Sequence, residues 1–220
     1  MTDALSIVKK YFTVTPCEVP AEFAAMKTSK MKTNIEQYKV EGLGNMTFQH
    51  ASAMFGMMKM EMMCVTPTDR DVPLFSYDLI DAMGKLTLII ELYDVMLDKT
   101  DDLEKTLEAI KAEYKDLPDD DRGEHWYDNI KMASSVSKKD KKKVIGAACD
   151  ELYGKYLEAY FAAAAAMPEV ADKAAKRAAS DAYVQGLLDN GGPSTDIFVD
   201  MLGKEKTTEY FKKYIFATAE

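Results

Sequence analysis

Between Asn34 and Asp98 the chain is a succession of short runs rich in Val, Ile, Tyr, Phe and Met. They are separated by Gly42-Leu43-Gly44-Asn45, Gly56, the segment from Pro67 to Asp71, and Gly84. Apolar runs of this length between turn-forming residues predict consecutive strands of an antiparallel meander. In the clearest one, Leu86, Leu88, Ile90 and Leu92 alternate with Lys85, Thr87 and Glu91, so one side of the strand faces a core. Likewise Met58, Met60, Met62 and Cys64 alternate with Met57, Lys59, Glu61 and Met63, giving one soft apolar face and one that mixes charge with methionine. On the run from Val72 to Asp81, Asp78 shares its face with Leu74, Ser76 and Ile80.

After Asp98 the period lengthens. Thr100-Asp101-Asp102 has the composition of a helix start, and Leu103, Leu107, Ile110 and Tyr114 continue it as a helical stripe. A polar loop from Leu117 to about Ser137 carries Trp126. Ser137 to Asp140 has the spacing of a capping box and predicts a long Ala/Tyr-rich helix from there to about Met167. Pro168 restarts a helix that ends near Asn190-Gly191-Gly192, and two shorter helices begin near Ser194 and Lys204. A short helix over Asp3 to Tyr11, followed by a loop through Pro16 and Pro20, precedes the strands.

These elements predict an α+β fold. A central, mostly antiparallel sheet from the first half is covered by helices mainly from the second, as an α/β/α sandwich. The expectation is one domain over residues 1–220, strand-rich over 34–98 and helix-rich over 100–216.

Charge narrows the choice of partners. With 28 Lys+Arg against 37 Asp+Glu the formal charge is −9, a poor match to a polyanion, so no nucleic-acid partner is expected. The longest apolar stretch, Tyr160 to Met167, is far short of the roughly 20 residues that cross a bilayer, and no membrane partner is expected. Asp3 stands where a signal peptide needs basic residues, and Cys17, Cys64 and Cys149 are odd in number and widely spaced. The expectation is reduced thiols in a cytoplasmic protein.

P-loop, dinucleotide, zinc-protease and nucleophile-elbow signatures are missing, and His50 and His125 lie far apart in sequence. The run Met57-Met58-Lys59-Met60-Glu61-Met62-Met63 offers thioethers for Cu(I). Thioether sites usually draw Met from separated positions, however, and core packing or the wall of a pocket for a large planar ligand fits a strand better. No metal site is expected.

Two stretches carry a family resemblance. Asp71-Val-Pro-Leu-Phe-Ser-Tyr-Asp78-Leu-Ile, followed by the strand ending Ile90-Glu91-Leu92, is one. The other runs from Tyr183-Val-Gln185 through Met201-Leu-Gly203 and Tyr210 to Ile215-Phe216, with Glu124-His-Trp126 between the two. Together they resemble the ferredoxin-dependent bilin reductases, which reduce open-chain tetrapyrroles such as biliverdin. The resemblance implies that Asp78 is the proton donor, that no flavin or metal is bound, and that ferredoxin is the external electron donor. The sequence departs from the family in three places. The histidine that members carry on the preceding strand falls at Glu61 or Met62. A family Glu falls near Ala51, beside His50. A late Asn-Asp pair falls on Gly191-Gly192, leaving Asp189 and Asn190 as the nearest substitutes.

The candidate catalytic residues are therefore Asp78, Glu61 and His50, the last two placed on neighbouring strands from which they would project near Asp78. Met60, Met62, Ser76, Asp189 and Asn190 are the candidate substrate contacts. An acid facing an enclosed apolar cavity keeps a proton near neutrality. The plainer account of Asp78 is a strand-end carboxylate paired with a lysine or a backbone amide. Glu61 has a plainer account as a solvated partner of Lys59 or Lys85, and His50 as a hairpin surface residue. Lys138, Lys139, Lys141, Lys142 and Lys143 form the one basic block, either a docking surface for an acidic ferredoxin or a solvated helix start. Three functions follow: a bilin-reductase-like enzyme, a non-catalytic binding protein of the same fold for heme, bilin or another large apolar ligand, and an interaction partner with a closed pocket.

Overall fold

The computed structural model describes residues 2–29 and 31–219. Its centre is an eight-stranded sheet in which every pairing between strands is antiparallel. The strands are β1 (Val14–Cys17), β2 (Ala25–Lys27), β3 (Met31–Val40), β4 (Gly44–Ala53), β5 (Met58–Pro67), β6 (Leu74–Ala82), β7 (Lys85–Tyr93) and β8 (Val136–Lys141). Their order is β1-β3-β4-β5-β6-β7-β8, with β2 also paired to β3. Hairpin turns fall at the glycines that the sequence marks. At Gly44 an added Cβ would lie 2.2 Å from the Thr66 carbonyl oxygen, so only glycine lets β4 approach β5 at that corner.

The helices are α1 (Ala4–Val8), α2 (Ala21–Ala24), α3 (Asp102–Glu113), α4 (Lys142–Ala166), α5 (Lys173–Asn190), α6 (Pro193–Leu202) and α7 (Lys204–Glu209). The last runs into a π-helical turn, Tyr210–Ile215. Alternation along the strands sends side chains to two opposite layers. Met46, Met63, Val65, Phe75, Leu88 and Ile90 meet α1, α3 and α4 on one face, while Ile35, Cys64, Leu74 and Tyr93 meet α2, α5, α6 and the C-terminal turn on the other. β7 is buried along all but its first residue because both layers cover it. On α4 the residues facing the sheet include Cys149, Leu152, Tyr153, Tyr156 and Tyr160. The Tyr153 ring stacks on Tyr77 at 3.7 Å, and the Tyr160 hydroxyl donates to the Pro73 carbonyl at 2.8 Å. Among the described residues no helix is long and apolar enough to cross a membrane.

Three local expectations are corrected. Val136–Lys141 is not a helix start but the edge strand β8, and the helix begins at Lys142. The buried Lys138 side chain explains the difference. It reaches the Leu117 carbonyl at 3.0 Å and Asp119 at 2.6 Å, and Lys139 pairs with Asp120, so the residues read as a cap are tied to the preceding loop. The stretch after Pro168 remains irregular until Lys173, because the Val170 amide is held by the Asp69 carbonyl and Asp172 caps the next helix through the Ala175 amide. The segment expected as a loop through Pro16 and Pro20 contains β1 and α2. Pro16 is tolerated because β1 lies on the sheet edge.

Candidate active site

Register decides which candidates meet. Met62 is the direct cross-strand partner of Asp78, and Gln49 is the partner of Met62, so Gln49, Met62 and Asp78 form one row on the face toward α5 and α6. Ser76 lies two residues along on the same face, opposite Glu91 of β7. Glu61 pairs with Leu79 and His50 with Glu61. Because successive side chains on a strand point to opposite faces, Glu61 and His50 project into the layer of α4. The expectation that they gather near Asp78 is corrected for that reason. His50 is exposed at that surface. Of the two positions to which the resemblance assigns the family histidine, Met62 stands in the row and Glu61 does not, and the β4 residue level with Met62 is Gln49.

The row lines a cavity of about 120 Å³ between the sheet and the C-terminal helices, walled also by Glu91, Arg122, Tyr127, Tyr183, Phe198, Phe211 and Phe216. Met60 lies on the same face, one row further toward the sheet end, and does not line the cavity. Asp189 and Asn190 do not reach it either. Both are exposed at the end of α5, where Gln185 donates to Asp189 at 2.9 Å and Asn190 donates to the Gly186 carbonyl at 2.9 Å.

Asp78 is half-buried. Loss of solvent pushes its carboxyl up to about 7, the negative charge of Glu91 adds to the rise, and the Arg122 guanidinium opposes it. Among the described residues no lysine and no backbone amide pairs with the Asp78 carboxyl, as the plainer account would have it. Glu91 is buried, accepts the Tyr93 hydroxyl at 2.6 Å, and faces the Arg122 guanidinium at 3.5 Å. Tyr93 stacks on Tyr183 at 4.2 Å with Tyr127 edge-on at 5.3 Å, and burial pushes the Tyr127 phenol up to about 12. These phenols are neutral donors at physiological pH.

Gln49 is the third polar member. Its amide nitrogen donates to Thr33 Oγ1 at 3.0 Å and to the Tyr210 hydroxyl oxygen at 2.9 Å, which leaves its buried carbonyl oxygen without a donor among the described residues. An unsatisfied buried acceptor on a cavity wall suits a ligand N–H. Glu91, Arg122 and Gln49 are functional candidates that sequence reasoning missed. One signal was present: Glu91 is an acid inside an otherwise apolar run, Leu88 to Tyr93.

No curated protein matches the sequence. Among solved structures, phytochromobilin synthase from tomato, in complex with biliverdin, superposes with a TM-score of 0.80 at 12% identity, over 98% of this chain and 80% of that one, which is a likeness of fold. The model of the ferredoxin-dependent bilin reductases matches residues 1–217. The chain belongs to the ferredoxin-dependent bilin reductase family.

Proposed function

We propose that this protein binds a linear tetrapyrrole in the cavity beside Asp78 and reduces it with single electrons from ferredoxin, Asp78 supplying a proton. The observation that carries this reading is the Asp78 carboxyl on the wall of a cavity between sheet and helices, where loss of solvent pushes it up to about 7. An added electron raises the basicity of a conjugated pigment, and a neutral acid at contact distance transfers its proton as that charge develops. Two electrons and two protons reduce one double bond. The electrons come from two reduced ferredoxins, and Asp78 is reprotonated between steps. The Gln49 carbonyl oxygen is the acceptor for a pyrrole N–H, and the phenols of Tyr93, Tyr127 and Tyr183 form a stacking wall.

At about 120 Å³ the cavity is smaller than the roughly 300–1,000 Å³ of a ligand site, so pigment entry requires the wall to move. The element best placed to yield is α6, bracketed by Gly191 and Gly192 before it and Gly203 after it, all at positive φ. Of the basic block, Lys138 is buried, and Lys139 and Lys142 are paired with Asp120 and Asp81. Lys141 and Lys143 have no carboxylate partner among the described residues.

Biliverdin added to the purified protein is expected to give a shifted, sharpened visible band, which a reduced ferredoxin system then bleaches or moves. Asp78→Asn should keep the band and lose turnover. A variant that turns over normally defeats the assignment of Asp78, and no band at all defeats pigment binding. A second reading, a binding protein that holds the pigment without reducing it, is favoured by Met62 and Gln49, because neither of these neighbours of Asp78 in the row can exchange a proton. A stable band that reduced ferredoxin leaves unchanged would select it.

A further inference from the structure

The end of the sheet formed by the β4–β5 and β6–β7 hairpins carries a second, unrelated arrangement. Met54, Phe55, Met57 and Met83 are exposed there, Phe55 completely. The two tips lie side by side, the Met83 amide donating to the Met57 carbonyl at 3.3 Å. Three of the four residues, Met54, Phe55 and Met83, have left-handed φ of 52°, 57° and 52°. Bulky side chains rarely adopt this conformation, and glycine would occupy it without strain. The chain thus holds large apolar groups outward at positions where neither packing nor turn geometry asks for them.

Around these tips stand Lys27, Lys32, Lys59, Lys85, Lys141 and Lys143, all exposed. None has a carboxylate partner among the described residues, whereas lysines elsewhere, such as Lys10, Lys99, Lys155, Lys173 and Lys206, are paired. In a chain of formal charge −9, one end therefore presents a cluster of unneutralised cations behind an apolar point. The spacing along the strands orders them by depth. Lys59 follows Met57 by two residues and Lys85 follows Met83 by two, so the Cα atoms of these lysines lie at most about 7 Å behind the tips. That offset falls within the roughly 5–10 Å over which a peripheral protein sinks its apolar groups beneath lipid headgroups.

We propose that this end of the sheet seats on an anionic lipid surface, with Met54, Phe55, Met57 and Met83 entering the interface and the six lysines meeting the headgroups. Surface attachment of this kind needs no spanning helix, and it departs from the expectation of no membrane partner. A second copy of the chain is disfavoured because the two clusters of cations would repel. An acidic protein would match the charge, but protein interfaces place an apolar centre and polar rim at one level, whereas here the apolar groups project ahead of the charges.

The test is flotation of the full chain with vesicles of phosphatidylcholine containing about 30 mol% phosphatidylserine, against phosphatidylcholine alone, at about 0.15 M salt. The protein is expected to bind the anionic vesicles at least about tenfold more tightly, and either Phe55→Ser with Met57→Ser or Lys59→Ser with Lys85→Ser should remove about tenfold or more of that binding. All four side chains are exposed or at the tips, so the variants should unfold at the wild-type temperature. Failure of the wild type to float with anionic vesicles overturns the proposal. So does binding that the lysine variant loses and the Phe55/Met57 variant keeps, which would show adsorption by charge alone, with no apolar group entering the interface.

Discussion

Met62 stands directly across the β5–β6 ladder from Asp78, a thioether where a titrating neighbour would alter the acid most. With no cation there, burial and Glu91 dominate the surroundings of Asp78. Met62→His introduces an imidazole within reach. Its charged form is expected to lower the Asp78 pKa from about 7 by about one unit or more. Carboxyl carbon NMR, followed through the pH titration, measures the shift, and an unchanged midpoint would place the new ring outside the row.

Asp78 also makes stability depend on pH with a definite sign. Its folded pKa of about 7 lies above the ordinary 3.8, so between those values the folded chain binds more protons than the unfolded one. Stability contributed by the protonated carboxyl is complete below about pH 4, declines as pH rises toward 7, and is absent above it. Asp78→Asn has no proton to lose. It should gain about 1–3 kcal/mol relative to wild type on going from pH 5 to pH 8, read from urea midpoints at the two pH values. Equal differences at both would mean that the carboxyl is solvated.

Trp126 is the only tryptophan and rests against Gly186 of α5, where an added Cβ would lie 2.3 Å from the indole ring. Gly186→Ala must push the ring outward. The expected result is a red-shifted tryptophan emission and a loss of about 1–3 kcal/mol from overpacking. Because Tyr183 of the same helix lines the cavity and stacks on Trp126 at 5.9 Å, biliverdin affinity should change with it.

Lys176 is fully buried and donates to the carbonyls of Val72 and Val95, each at 2.8 Å, with Asp71 at 3.1 Å. It fastens α5 to the segment just before β6 and the segment just after β7, which meet at one end of the sheet. Desolvation lowers its pKa while Asp71 opposes the change. Lys176→Met preserves volume but strands two carbonyls, and a loss of about 3 kcal/mol is expected in urea unfolding. A loss below about 1 kcal/mol would show that water replaces the amine.

Lys85 to Tyr93 was legible as a strand because its apolar residues alternate with Thr87 and Glu91, although the structure buries both of its faces rather than the one expected, and the helical stripe from Leu103 was legible because one buried face repeats along α3. The sandwich followed from the change of period near Asp98. Alternation also separated Glu61 from Met62 within their own strand, but only pairing register shows which of the two meets Asp78, and register is set by hairpin geometry across two chain segments. Strand β8 was hidden because Lys138, Lys139, Asp140 and Lys141 look like a solvated helix start, whereas charge on an edge strand is a common guard against further strand pairing. Arg122 gave no local signal at all, since it reaches the site from an irregular loop.

The closing turn from Tyr210 to Ile215 carries a wider ring of backbone, with the Phe216 amide reaching the Phe211 carbonyl at 2.9 Å. Such a turn is an α-helix that has accommodated one surplus residue. Excising that residue would close the ring to an ordinary α-helical turn, drawing in the backbone at Phe211 while the flanking Tyr210 and Phe216 keep near their present places. A single-codon deletion here would therefore remodel one wall of the chamber without touching the acid, turning the C-terminus into a natural point for changing which guest the chamber accepts.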